Sequence, residues 1–269
     1  MKIIDYKYKN IRLTKIGGLN NSNYLFEVKN EKYVLRIPSK ENNNNFKNEG
    51  KILDLISPLN ITPLIKYHND NGILVSKYKS STKISLDIYN SKFFIKNLVV
   101  SLKKLHKNKC NVFFNPFNEI RNNIYYLKNI NYKFHHDIEG LLYKLKSIEE
   151  FHSSNIDFGL CHNDLNISNI LFSNNNIYFV DFEFSGMGDI FFDLATISWF
   201  LNEDLKVELL NSYFGNYTSY LKEKLENYIF IVKFWNATWS LIKSTNTNSD
   251  YDYKLGGNMI LDDLIKNYL

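Results

Sequence analysis

Residues 159–183 read GLCHNDLNISNILFSNNNIYFVDFE, and this stretch decides the fold. Two apolar runs, 170–172 and 177–180, flank the turn residues Asn174, Asn175 and Asn176. That pattern predicts a β-hairpin. Asn169 stands at one base of the hairpin and Asp181 at the other. Twelve residues separate them along the chain, but the fold-back lets both side chains face one point. His162 and Asp164 lie on the loop leading in, with Asp164 five residues before Asn169.

These residue types fit phosphoryl transfer. That reaction asks the protein for positioning and charge stabilisation, with little covalent work. Magnesium takes hard oxygen ligands, which Asn169 and Asp181 carry. Asp164 can accept the hydrogen bond, and late in transfer the proton, of an acceptor hydroxyl at about 2.6–3.2 Å. His162 joins them as a brace of the loop through hydrogen bonds. A polar loop with chance carboxylates, or a metal-dependent hydrolase, would use the same residue types. The full ordered set on one hairpin favours the kinase.

Working outward, residues 1–78 read as strands with one helix. Partial alternation at 11–16 and clearer alternation at 24–28 and 33–37 predict an antiparallel meander, turning at Asn30 and Glu31. Phe46, Gly50, Leu53 and Ile56 recur at helical spacing over 46–56. Strands follow at 64–67 and 73–78, joined by a turn ending in Asn71 and Gly72. Past Tyr78 the pattern becomes helical: 91–107, 139–151 and, after the hairpin block, 189 to the end, including 220–245. A mostly-β lobe ahead of a mostly-α lobe predicts a cleft between them.

Composition narrows the function classes. The chain has 269 residues, 44% hydrophobic and 16% aromatic, enough for one large domain or two lobes with a packed core. The net charge of +5 is spread along the chain and carried mostly by Lys, without the basic stripe of a nucleic-acid binder. Cys110 and Cys161 make no CxxC, disulfide framework or zinc signature, so a reducing, cytoplasmic compartment is expected. No apolar run approaches 18 residues, and no signal peptide is evident at the N-terminus. The sequence fixes no oligomeric state.

At these residues the chain resembles the choline/ethanolamine kinases of the aminoglycoside-phosphotransferase-like group, especially the bacterial choline kinases. HNDLNISNIL and FVDFEFS are similar to that family's catalytic loop and metal-binding segment. The resemblance implies an α+β, bilobal protein-kinase-like fold. A small N-terminal antiparallel β lobe with one helix would span residues 1–78, and a larger, mainly helical C-terminal lobe residues 79–269. It implies ATP and Mg²⁺ as cofactors and a small-molecule amine alcohol as acceptor. Asp164 then resembles the catalytic base, and Asn169 and Asp181 the magnesium ligands, with Glu183 supporting the metal shell. Arg36 stands where the family has its strand-three cation, with Glu49 as ion-pair partner. Asp193 resembles a buried aspartate that braces the catalytic loop, while Asp189 reads as a helix cap.

Residues 16–26, IGGLNNSNYLF, resemble the family's phosphate-cradling turn. Gly17 and Gly18 would permit close backbone approach, and Asn20, Asn21, Ser22 and Asn23 would offer polar donors. The same residues also read as an ordinary hairpin turn, and Arg36 with Glu49 as a plain surface pair.

Trp235 and Trp239 are four apart on a predicted helix and share a face. They read either as core or as an aromatic cage for a quaternary ammonium. FWNATWSLIKS and DYDY resemble the choline kinase pocket segments, which implies Trp235, Trp239 and Tyr253 as acceptor-binding residues. The usual tryptophan spacing of three is departed from, and Asn236 falls where the first is expected. Ethanolamine, thiamine or an aminoglycoside therefore stay open as acceptors. Asp204, Asp250 and Asp252 are candidate partners for its ammonium. A protein kinase is disfavoured by the absence of DFG and APE. From another class, an inactive kinase-like nucleotide-binding module would need Asp164, Asn169 and Asp181 to be idle.

Overall fold

The computed structural model describes residues 11–17, 21–39, 45–246 and 251–269. Gly18, Asn20 and Asp250 lie outside them. The N-terminal part is a five-stranded antiparallel sheet in the order β1-β2-β3-β5-β4. Its strands are β1 (Thr14–Gly17), β2 (Asn21–Val28), β3 (Glu31–Pro38), β4 (Ile65–His68) and β5 (Leu74–Lys77). β1 starts three residues later than the alternation predicts. It is an exposed edge whose pairing begins only at Thr14 opposite Leu25, so its alternation reflects no buried face. β2 and β3 turn through Lys29 and Asn30, both at positive φ, one residue earlier than predicted. Helix α1 (Phe46–Ile56) follows, capped by Asn45, whose side chain accepts the Asn48 N–H. Its buried face holds Glu49, Ile52, Leu53 and Ile56.

The remaining elements are mainly helical: α2 (Leu86–Tyr89), α3 (Lys92–His106), α4 (Pro116–Asn129) and α5 (Ile138–His152) come first. Strands β6 (Phe158–Cys161), β7 (Ile170–Ser173), β8 (Asn176–Phe179) and β9 (Gly186–Asp189) form the middle. Helices α6 (Phe191–Ser198), α7 (Glu203–Phe214), α8 (Ser219–Asn246) and α9 (Tyr253–Tyr268) close the chain. This is an α+β architecture. The core runs through Leu98, Leu102, Phe191, Leu194, Phe230, Phe234 and Leu241, all fully buried. No helix among the described residues is long and apolar enough to cross a membrane.

The predicted hairpin is β7 with β8, in the register Ile170 opposite Phe179 and Ser173 opposite Asn176. Three backbone bonds fix it in place. The Val180 N–H donates to the Asn169 carbonyl (3.0 Å), which closes its open end. The Phe179 N–H reaches the Ile61 carbonyl (2.7 Å), and the Thr82 N–H reaches the Phe172 carbonyl (2.8 Å). The hairpin is thus tied to chain on both sides of β4 and β5.

Lys224 of α8 is fully buried, which is costly for a cation unless it is paired. Its Nζ lies 2.8 Å from carboxylate oxygens of both Asp157 and Asp189 and donates to the Asn155 carbonyl at 2.6 Å. Asp157 leads into β6 and Asp189 ends β9, so one ammonium pins the strand pair to α8. Burial pushes the Asp189 carboxyl upward, and Lys224 works against that shift. Lys224→Met leaves Asp189 buried without its cation, so it should cost about 3–5 kcal/mol. A urea midpoint unchanged from the parent would show the pair to be idle.

Candidate active site

Arg36 on β3 is buried and holds Glu49 of α1 through both ends of its guanidinium. Its Nη1 lies 2.7 Å from Glu49 Oε1 and 3.1 Å from Asp181 Oδ1. The pair is therefore no surface contact. Burial works against the guanidinium charge, but Glu49, Asp181 and Glu183 more than offset it. Glu183 also receives a long hydrogen bond from Asn21 Nδ2, at 3.4 Å. Gly17, at φ +127°, ends β1, and an added Cβ there would meet nothing within 4 Å. Asn21, Ser22 and Asn23 belong to β2 rather than to a free turn, because they pair with Pro38, Ile37 and Arg36.

The loop between β6 and β7 carries Asp164, and two amides hold its carboxylate. Asn166 Nδ2 donates to Oδ1 at 2.9 Å, and Asn169 Nδ2 donates to Oδ2 at 2.8 Å and to the backbone carbonyl at 2.9 Å. Burial pushes the Asp164 carboxyl up to about 8; the charges of Asp181 and Glu183 add to this and the two amides oppose it. Asp164 as a residue is half-buried.

His162 is fully buried, and both its ring nitrogens are engaged. Nε2 donates to the Val180 carbonyl (3.0 Å), and Nδ1 accepts the Asp164 N–H (3.3 Å). Burial lowers its pKa, which keeps the ring neutral near pH 7. Asp193 of α6, also fully buried, accepts the backbone N–H groups of His162 and Asn163, each at 2.8 Å. His106 Nε2 donates to it at 3.0 Å, and His106 Nδ1 meets the Tyr213 hydroxyl at 2.8 Å. His106, Cys161 and Asp193 are close enough together to suggest a metal site. The His106 nitrogens and the Asp193 oxygens are already spent on hydrogen bonds, so the cluster is a brace.

The donor set at the hairpin fits a hard divalent cation. Asn169 spends its amide nitrogen on Asp164, which leaves Oδ1 for a ligand. Asp181, at φ +67°, presents a carboxylate beside that of Glu183. Burial and the Glu183 charge push Asp181 up to about 7, with Arg36 opposing. A carboxylate pushed up by burial and a neighbouring negative charge, as Asp181 is, is what a bound cation would relieve.

The three aromatic residues pack together. Trp235 and Trp239 stack at 6.5 Å, and the Tyr253 ring lies edge-on to Trp239 at 5.8 Å. Trp235 is buried among Phe114, Phe184 and Phe192, so it also serves the core. Trp199 instead stacks on the exposed Phe200. Phe184 joins the aromatic group to the loop: its ring meets Trp235 at 5.3 Å and its carbonyl accepts Asn163 Nδ2 at 3.0 Å. Asp252 is the N-cap of α9, accepting the Leu255 N–H, and Asp204 lies in the first turn of α7. Asp189 precedes the cap of α6, which is Ile190, and its Oδ1 accepts the Phe191 N–H from one position outside.

Sequence reading missed His106, Tyr213, Asn166, Phe184 and Lys224. Their partners lie far along the chain, except for Asn166, whose local turn residue character could have marked it.

A sheet-and-helix pair, a loop aspartate and an Asn/Asp hairpin arranged in this way define a protein-kinase-like phosphotransferase. The model of the phosphotransferase enzyme family matches residues 12–228, and the chain belongs to that family. It is 28% identical over 266 residues to Protein LicA of Haemophilus influenzae, covering 91% of this chain and 77% of that one. Among solved structures, the choline kinase LicA of Streptococcus pneumoniae matches with TM-score 0.80 at 21% identity, covering 96% of this chain and 94% of that one. A structure of LicA in complex with AMP matches with TM-score 0.78 at 21% identity, covering 95% and 91%.

Proposed function

We propose that this enzyme transfers the terminal phosphoryl group of ATP to the hydroxyl of choline, giving phosphocholine. The observation that carries the reading is the junction at Phe184. It sets an aromatic group fit for a quaternary ammonium against the loop that holds Asp164. The similarity to LicA, a choline kinase in Streptococcus pneumoniae, supports the same acceptor.

In this reading the acceptor ammonium rests on Trp239 and Tyr253, with Trp235 behind. Its hydroxyl donates to the Asp164 carboxylate, which takes the proton late in transfer. The hydroxyl oxygen forms a bond to the γ-phosphorus, the bond to the β–γ bridging oxygen breaks, and the proton passes to Asp164. The nucleotide lies between the sheet of residues 14–77 and the hairpin, near Gly17, Asn21 and Arg36. Asn169 and Asp181 would hold magnesium, with Glu183 supporting, and the ion would neutralise phosphate charge. Arg36, fixed by Glu49, keeps Asp181 in place. His162 stays neutral and holds the loop.

The test is ADP release with Mg-ATP and one acceptor at a time: choline, ethanolamine, thiamine, kanamycin. The highest kcat/KM is expected with choline. Preference for another member would overturn the acceptor and keep the kinase. ADP release that no acceptor stimulates would sink the kinase reading.

A further inference from the structure

We propose that Lys243 is a built-in competitor for the acceptor cation, and so sets acceptor affinity; this rests on the choline reading above. Lys243 lies one helical turn beyond Trp239 on α8, and its Nζ is 5.2 Å from the centroid of the Trp239 ring. A cation within about 6 Å of an indole centroid is drawn to the negative face of the ring. Trp239 is already bounded by Trp235, stacked on it, and by Tyr253 at its edge. The position best suited to a trimethylammonium group is thus held by an ammonium of the chain itself.

An incoming cation meets two obstacles there. It must displace Lys243 from the ring, which forfeits that attraction. It must then bind near a displaced but tethered like charge. Both act against a cationic acceptor. Only the first acts against a neutral acceptor of the same shape. Lys243 is partly buried, so its stem packs while its charge is what the acceptor feels. The same charge disfavours acceptors that carry several ammonium groups.

The experiment compares choline with its uncharged isostere 3,3-dimethylbutan-1-ol, as substrates or as competing ligands, in the parent enzyme, Lys243→Met and Lys243→Glu. Met keeps the stem and removes the charge, and Glu inverts it. The KM for choline should fall about 5-fold in Lys243→Met, the scale of one cation–π contact, and further in Lys243→Glu. The isostere should shift less in both, and the KM for ATP should not follow the series. A flat or rising choline KM, or equal shifts for choline and isostere, would overturn the proposal while leaving choline phosphorylation standing. A parent enzyme that does not phosphorylate choline at all would overturn both.

Discussion

Asp164→Asn is expected to lower kcat by about 10²–10⁴-fold, the range for losing a positioned general base. The substitution keeps the shape of a side chain that two amides grip, Asn166 at 2.9 Å and Asn169 at 2.8 Å. It removes the acceptor for the hydroxyl proton and touches none of the contacts made by Arg36 or Glu49. Nucleotide affinity should therefore survive while transfer collapses. Single-turnover rates with equilibrium binding of ATP measure the two separately. Transfer at the parent rate by a folded variant would remove Asp164 from its proposed role.

Asp193→Ala should lower stability and turnover together. One fully buried carboxylate accepts two loop N–H groups and the His106 Nε2. Its removal strands three donors in a dry interior, and breaking a buried pair in this way costs about 3–5 kcal/mol. That is a large share of the roughly 5–15 kcal/mol that holds a typical domain together. Asp193→Asn should fall between, since Asn keeps one acceptor and loses the charge. Urea unfolding gives the order parent, Asn, Ala. Turnover should fall in the same order, because the slackened loop carries Asp164. An Ala variant as stable as the parent would mean that the loop is held by other contacts.

The legible part of this chain was local. The hairpin at 170–179 could be read because an asparagine turn separates two short apolar runs, and α1 because its apolar residues follow the helical period. Helix α4 was not read, although Asn115 before Pro116 and the spacing of Phe117, Ile120, Ile124 and Leu127 carry its signal. Strand β9 has the sequence GMGD, which bears no strand propensity. It is a strand because β6 pairs with it and because Phe114 and Val112 bond to Met187. The roles proposed for Asp164, Asn169 and Asp181 rest on residue type and order. Lys224, His106 and Tyr213 bond to carboxylates or rings 35 or more residues away, and no local pattern encodes such encounters. Trp235 read equally as cage or core, and its position is open to both because one ring face can do each.

The hairpin places Asn169 and Asp181 together at its open end, with Asn174 and Asn175 at the far tip, both at positive φ. The distance between these two residues is set where the strands begin, by the Val180 N–H on the Asn169 carbonyl, and not by what joins them. Over evolutionary time the tip can therefore lengthen, shorten or change composition without disturbing the chemistry. The count of residues between the Asn and the Asp is then a poor ruler for comparing distant relatives, whereas the pairing of the two strand bases is a dependable one.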